Sequence, residues 1–350
     1  MSTRRRRAKV AANPRERMVE PRTVVITGAS RGLGFASAAR LYREGWRVVA
    51  AMRAPDRGIP LLRQATGAGE DDDRLIGVQL DLLDTASITA AAKAIEEAVG
   101  TPYALVHNAG ISAAGMVEET DMALWQRMFA TSVLGPVALT QALLPSMRSV
   151  GEGRIVLVSS AAGVRGQPGT APYSAAKGAL ERWGESMACE IAPFGLGVTV
   201  LVAGTYDTEI ITDAGTTDDR NFEGPYARLH NTMNTRGRFA VSFARPAERF
   251  TDGVIKALAD QKSFCRRGVG PDASMLLAFN RILPSSGMHH MSRIVLGIPK
   301  QGSMRDGAWP LTAAQRGMGL VARVVPRPVL QRLASLVARR SKAPKGTEGD

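Results

Sequence analysis

Cysteine is scarce. Only Cys189 and Cys265 occur in 350 residues, too few for a disulfide framework or a cysteine-rich metal site, which fits a reducing compartment. The four histidines, His107, His230, His289 and His290, form no metal-ligand pattern with nearby acids, so no metal is expected. No run of about 18 uncharged apolar residues is apparent, so no membrane-spanning helix is expected. Four arginines, Arg4–Arg7, stand near the start, but the AANPRERM that follows lacks the apolar centre of a signal peptide. These absences point to the cytoplasm, with peripheral contact to a membrane left open.

Acid is in deficit, and its distribution decides what that means. Residues 1–23 carry eight Arg/Lys and two Glu, and residues 300–350 carry ten Arg/Lys and three acids. The two ends therefore hold the whole formal charge of +13, and the body between them is neutral. A nucleic-acid enzyme would carry its positive charge on the folded face that meets phosphates; here it lies on tails, so no nucleic-acid partner is expected. A hydrophobic fraction of 45% can fill a sizeable core, and the length suits one domain of roughly 250 residues with appendages.

Residues 1–21 are basic, contain Pro14 and Pro21, lack apolar periodicity, and read as a disordered arm. Order begins with the strand Thr23–Ile26, which runs into Thr27-Gly28-Ala29-Ser30-Arg31-Gly32-Leu33-Gly34. The glycines permit a tight turn and close approach of backbone to a pyrophosphate, seated on the N-terminus of a helix over Phe35–Glu44. A second strand, Trp46–Ala51, completes a strand, glycine turn, helix and strand within about 30 residues. Where an acid would bind a free 2′-hydroxyl, the chain has Met52-Arg53. With Arg31 in the loop, this favours NADP(H), with NAD(H) the second option.

Residues 54–73 hold two prolines and an acidic cluster and read as a surface loop. The third strand, Leu75–Leu80, ends at Asp81-Leu82, where the Asp81 carboxylate can meet an adenine amino group. A helix over Thr85–Val99, a strand Tyr103–His107 and the small residues Asn108-Ala109-Gly110 follow, then a helix over about 121–147. The apolar run Arg154–Val158 ends at Ser159-Ser160, a place from which a hydroxyl can donate to an oxygen over the sheet edge. Tyr173 and Lys177 lie one turn apart on a helix. An ammonium beside a phenol favours the phenolate and lowers the tyrosine toward neutrality, as a general acid/base requires.

These residues, in this order, resemble the short-chain dehydrogenase/reductase family over roughly 22–259. The resemblance implies an α/β Rossmann-type doubly wound parallel sheet with helices on both faces, here with a helical C-terminal extension. It implies that Tyr173 exchanges the proton, Ser160 orients the carbonyl, and Lys177 holds the nicotinamide ribose while lowering the tyrosine pKa. It also implies a small alcohol, ketone or aldehyde substrate and assembly as a homo-oligomer. Two departures stand out. Phe129-Ala130-Thr131-Ser132-Val133-Leu134-Gly135 puts Ser132 where the family usually has the Asn of a water relay. Ala203-Gly204-Thr205-Tyr206-Asp207-Thr208 keeps Gly204 and Thr208 near the nicotinamide but loses a proline. They motivate an alternative, a cofactor-binding regulator with weak catalysis.

Residues 205–240 read as a substrate lid ordered by ligand. Residues 261–341 read as the extension, loosely resembling retinoid- and steroid-active members, which implies a bulky hydrophobic substrate. Its last helix candidate, Val329–Arg340, is basic and amphipathic; it can dock on its own domain, the favoured reading, or lie on an anionic bilayer. Residues 342–350 read as a disordered tail.

Overall fold

The computed structural model describes residues 21–211 and 216–305. The basic arm up to residue 20, the amphipathic segment at 329–340 and the tail at 342–350 lie outside the described residues.

Seven strands alternate with helices: β1 (Thr23–Thr27), α1 (Gly32–Arg43), β2 (Arg47–Met52), α2 (Pro55–Thr66), β3 (Leu75–Gln79), α3 (Thr85–Val99) and β4 (Ala104–His107). Then come α4 (Met122–Phe129), α5 (Gly135–Val150), β5 (Gly153–Ser160), α6 (Ala171–Ile191), β6 (Leu196–Ala203), α7 (Ala227–Val241), α8 (Glu248–Leu258), β7 (Phe264–Val269), α9 (Pro271–Ile282) and α10 (Ser285–Leu296). The strands form one parallel sheet in the order β7-β6-β5-β4-β1-β2-β3. This is the doubly wound sheet that the sequence implies. The strand order reverses between β1 and β4, which opens a crevice at their C-terminal ends.

Alternation along the strands builds two apolar layers. Val24, Ile26, Val48, Val156 and Val158 turn toward α1 and α8, where Leu41, Phe250, Val254 and Leu258 meet them. Val25, Val49 and Leu105 turn to the other face, against Ile88 and Ile95 of α3 and Leu139 and Leu143 of α5. Ile155, Leu157, Val198 and Val200 continue that second layer against Leu180, Met187 and Ile191 of α6.

Three sequence expectations need correction. Residues 55–66 form a helix rather than a loop: Pro55 sits at its first turn, where no N–H is needed, and Gly67 closes it in a left-handed conformation (φ 77°). The sheet does not stop near residue 260, because β7 pairs in parallel with β6 from Phe264 to Val269. The lid segment contains the 15-residue helix α7. Separately, the stretch Met122–Val150 is long and apolar enough to cross a membrane by length and composition alone, with a mean hydropathy of 1.4 over an 18-residue window. In the fold it flanks the sheet as α4 and α5, with Leu139, Leu143 and Met147 fully buried.

A π-helical turn, Ala130–Leu134, joins α4 to α5. Its cause is local: Pro136 has no N–H to give the carbonyl four residues back, and the N–H of Gly135 reaches Ala130 instead.

His107 closes β4 and is buried, with Nε2 2.8 Å from Thr140 Oγ1 and the Trp183 ring 5.9 Å away. Nδ1 has no partner, which suits a neutral ring that donates from Nε2 and leaves Nδ1 a bare lone pair. Burial pushes its pKa down to about 3. The unfolded chain therefore takes up this proton first as pH falls below 6.5, and stability drops between there and pH 3. Unfolding free energies from urea titrations at pH 7 and pH 5 should differ by about 2 kcal/mol more in the wild type than in His107→Gln; equal differences would remove His107 as the cause.

Candidate active site

β5 and α6 bring the three chemical groups together. The Lys177 ammonium, buried, donates to the Val158 carbonyl at 2.8 Å. The next residue, Ser159, donates to Glu181 Oε1 at 2.7 Å. The one after that, Ser160, hydrogen-bonds Tyr173 and also accepts from the Ala162 N–H at 3.2 Å, capping the short turn Ala161–Val164. Three successive residues of one strand thus grip three residues at helical spacing, Tyr173, Lys177 and Glu181. Lys177 Nζ lies 5.9 Å from the centroid of the Tyr173 ring.

Electrostatics here differ from the sequence expectation. Burial raises the Tyr173 phenol above its ordinary value, and the Ser160 hydroxyl opposes this only in part. Burial is the larger effect, with the Lys177 ammonium hydrogen-bonded to Val158 and 5.9 Å from the ring centroid. Burial lowers Lys177 itself to about 8, with the Glu181 carboxylate acting the other way. In this arrangement Tyr173 is a protonated acid and Lys177 a weakly held cation.

The residues expected to hold the cofactor line the crevice between β1 and β4. Gly28 and Gly32 adopt left-handed backbone (φ 67° and 56°). A Cβ on Gly34 would lie 2.3 Å from the Gly28 carbonyl oxygen and 2.4 Å from Asn108 Nδ2, so only glycine fits. Asn108 Nδ2 donates to Thr27 and Gly28 carbonyls at 3.1 and 3.3 Å, and Thr27 Oγ1 accepts from the Asn108 and Ala109 N–H groups, both at 3.1 Å. These bonds fasten β4 to the glycine loop. The first turn of α1 has no side-chain cap, which leaves its N–H groups to an anion. The small backbone, the pinned loop and the uncapped helix fit a dinucleotide.

The remaining expected residues are placed as follows. Arg53 and Ser30 are exposed beside the glycine loop, and Arg53 makes no ion pair among the described residues. Arg31 stands 3.5 Å from Glu209 at the start of the lid. Asp81 accepts from the Leu83 N–H at 3.0 Å, and Leu33 packs on the core while the Leu82 side chain is buried in it. A Cβ on Gly110 would lie 3.4 Å from Lys177 Nζ, and one on Gly32 3.4 Å from Thr208, so the lid crosses the glycine loop. Gly204 is backed by Asp272, whose Oδ2 accepts from the Thr205 N–H at 2.7 Å. Ser132 is buried in the π-turn, and its hydroxyl finds only the Met128 sulfur, at 4.0 Å. Sequence reasoning missed Glu181, Arg266 and Asp272; for Glu181 the signal existed, since it continues the spacing of Tyr173 and Lys177.

Comparison with known proteins agrees with this geometry. Residues 22–219 match the short chain dehydrogenase family model. The uncharacterized oxidoreductase YbbO of Escherichia coli (strain K12) is 30% identical over 77% of this chain and 93% of its own length. The uncharacterized oxidoreductase YusZ of Bacillus subtilis (strain 168) is 35% identical over 53% of this chain and 65% of its own length, so the match spans just under two thirds of that relative. Among solved structures, a short-chain dehydrogenase/reductase from Burkholderia phymatum in complex with NAD superposes with a TM-score of 0.63 at 27% identity, covering 78% of this chain and 95% of that one. On the fold, the pinned glycine loop and the matched span together, this chain belongs to the short-chain dehydrogenase/reductase family, as an NAD(P)-dependent oxidoreductase.

Proposed function

We propose that the protein interconverts a carbonyl and an alcohol on a bulky hydrophobic substrate, with NADP(H) as the preferred cofactor and Tyr173 as the acid/base. The observation that carries this reading is the convergence of Ser160, Tyr173 and Lys177 on the end of β5, beside the crevice that fits a dinucleotide. When bound, the nicotinamide supplies or takes up the hydride. Tyr173 gives its phenol proton to the nascent alkoxide in reduction and recovers it in oxidation. Ser160 donates a hydrogen bond to the same oxygen, and the Lys177 charge steadies the phenolate left behind.

The surroundings of Tyr173 support an apolar substrate. The ring packs with Ile111 and Phe129 against the buried Leu124, Met128 and Val133. Met233 of α7 comes over Gly169, four residues before Tyr173, so tightly that a Cβ there would lie 2.7 Å from its methyl group. Support for NADP(H) is narrower: the exposed Arg53 ends β2 in place of an acid, and Arg57 is exposed one turn further on. A 2′-phosphate would find a bidentate partner there.

Tyr173→Phe should lower kcat for carbonyl reduction by about 10²- to 10⁴-fold while NADPH still binds within a few-fold of the wild type by nucleotide fluorescence; a Phe variant with full turnover sinks the assignment. Arg53→Asp should lower the NADPH-over-NADH ratio of kcat/KM by about 10- to 100-fold, the worth of one charge-assisted bond. An unchanged ratio would assign the preference elsewhere. Both measurements belong on a panel of aldehydes and ketones that runs from short aliphatic compounds to steroid-sized ones.

A further inference from the structure

Glu181 lies one turn beyond Lys177 on α6 and is only 2% exposed, which is costly for a carboxylate. Its oxygens are divided between two partners: Oε1 accepts from Ser159, and Oε2 pairs with Arg266 of β7. The backbone closes tightly around it, since a Cβ on Gly163 would lie 2.9 Å from Oε1 and 2.8 Å from Ser159 Oγ. A buried ion pair is weak grounds for stability, because desolvation offsets the attraction. This one stands beside a lysine whose charge the chemistry needs and whose burial works against that charge.

The groups that face Lys177 can be named element by element. β5 offers the Val158 carbonyl and Ser159, neither of which titrates. Gly110 after β4 and Gly163 before α6 contribute backbone only. α6 itself contributes Tyr173 and Glu181, and its Arg182 is exposed and paired with Glu185. β7 contributes Arg266, which reaches Lys177 only through Glu181. Glu181 is therefore the one anion in the surroundings of this cation among the described residues.

We propose that Glu181 is a positioning residue for the reaction: its carboxylate, fixed by Ser159 and Arg266 one helical turn from Lys177, favours the charged form of the Lys177 ammonium beside Tyr173. This rests on the reading of Lys177 given above. Arg266 matters because burial leaves the Glu181 carboxyl above its ordinary value, and the Ser159 hydrogen bond and the guanidinium limit that rise. A neutral Glu181 would leave Lys177 to lose its proton at a lower pH.

The test compares the full-length wild type, Glu181→Gln, Glu181→Asp and the double variant Glu181→Gln/Arg266→Gln, which also removes the guanidinium that the single variant strands. Two profiles are recorded from pH 6 to 10: NADPH affinity by fluorescence, and kcat/KM for reduction. The wild type should show an alkaline limb near the Lys177 value of about 8, absent from NADPH binding by a Lys177→Met control. Glu181→Gln should move that limb down by about half to one pH unit, the double variant should move it in the same direction, and Glu181→Asp should bring it back. A uniform drop in activity with the limb unmoved would mean that Glu181 only supports the fold, and a wild type without a limb in NADPH binding would overturn the proposal as well. If the wild type reduces no carbonyl yet its binding limb shifts as described, the functional reading fails and the role of Glu181 stands.

Discussion

The hydrogen bond from the buried Lys177 ammonium to the Val158 carbonyl is the constraint around which this molecule is arranged. A cation can be taken out of water only if its protons are used and a counter-charge is near. β5 supplies the acceptor from its own backbone, two residues before Ser160 and just past the end of its pairing with β4 at Leu157. Once Lys177 is fixed there, the helical period places Tyr173 by Ser160 on one side and Glu181 by Ser159 on the other. A slip of one residue between β5 and α6 would break all three contacts at once, so the apolar packing of Ile155 and Leu157 against Leu180 and Met187 sets the geometry of the chemistry.

The buried polar groups of the sheet sort by this same criterion. Arg154, at the start of β5, gives its guanidinium to the Lys262 carbonyl at 2.8 Å and to Thr199 at 3.3 Å, tying three strand ends together far from the crevice. His107 escapes the penalty by staying neutral. Lys177 and Glu181 are buried near the C-terminal end of β5 instead, the edge at which a sheet of this kind places its chemistry.

Much of this was legible in the sequence, because the features that encode it are local. The glycine loop, the helix over 85–99, the end of β5 and the Tyr173–Lys177 spacing each depend on residues within one or two turns of each other. The features that escaped depend on context. α2 hid behind Pro55, Gly58 and Pro60, which mark a loop unless the prolines fall in the first turns of a helix and Leu62 has a core to enter. β7 hid because FCRRGV looks half polar; its arginines are useful only opposite Glu181 and Asp260, which no local pattern reveals. The phenol of Tyr173 departs from expectation for a related reason: four-residue spacing puts an ammonium near it but does not say how deeply the phenol is buried.

The lid shows why long-range partners change a reading of loose composition into one of order. Its ribbon Thr216–Asp218 pairs with Ser112–Ala114 beside the active site, and His230 of α7 sits between the two oxygens of Glu119 at 2.9 and 2.8 Å, 111 residues away in the chain. Burial pushes that carboxyl up, but the Met116 and Asn221 N–H groups and His230 outweigh it and hold it below its usual range. At the other end of α7, Arg236 donates to the Ile294 and Val295 carbonyls, occupying the acceptors that the last turn of α10 leaves open. One helix is thereby tied to the loop after β4 on one side and to the C-terminal extension on the other. Any movement of α7, whose Met233 lies over Gly169, must therefore work against both ties.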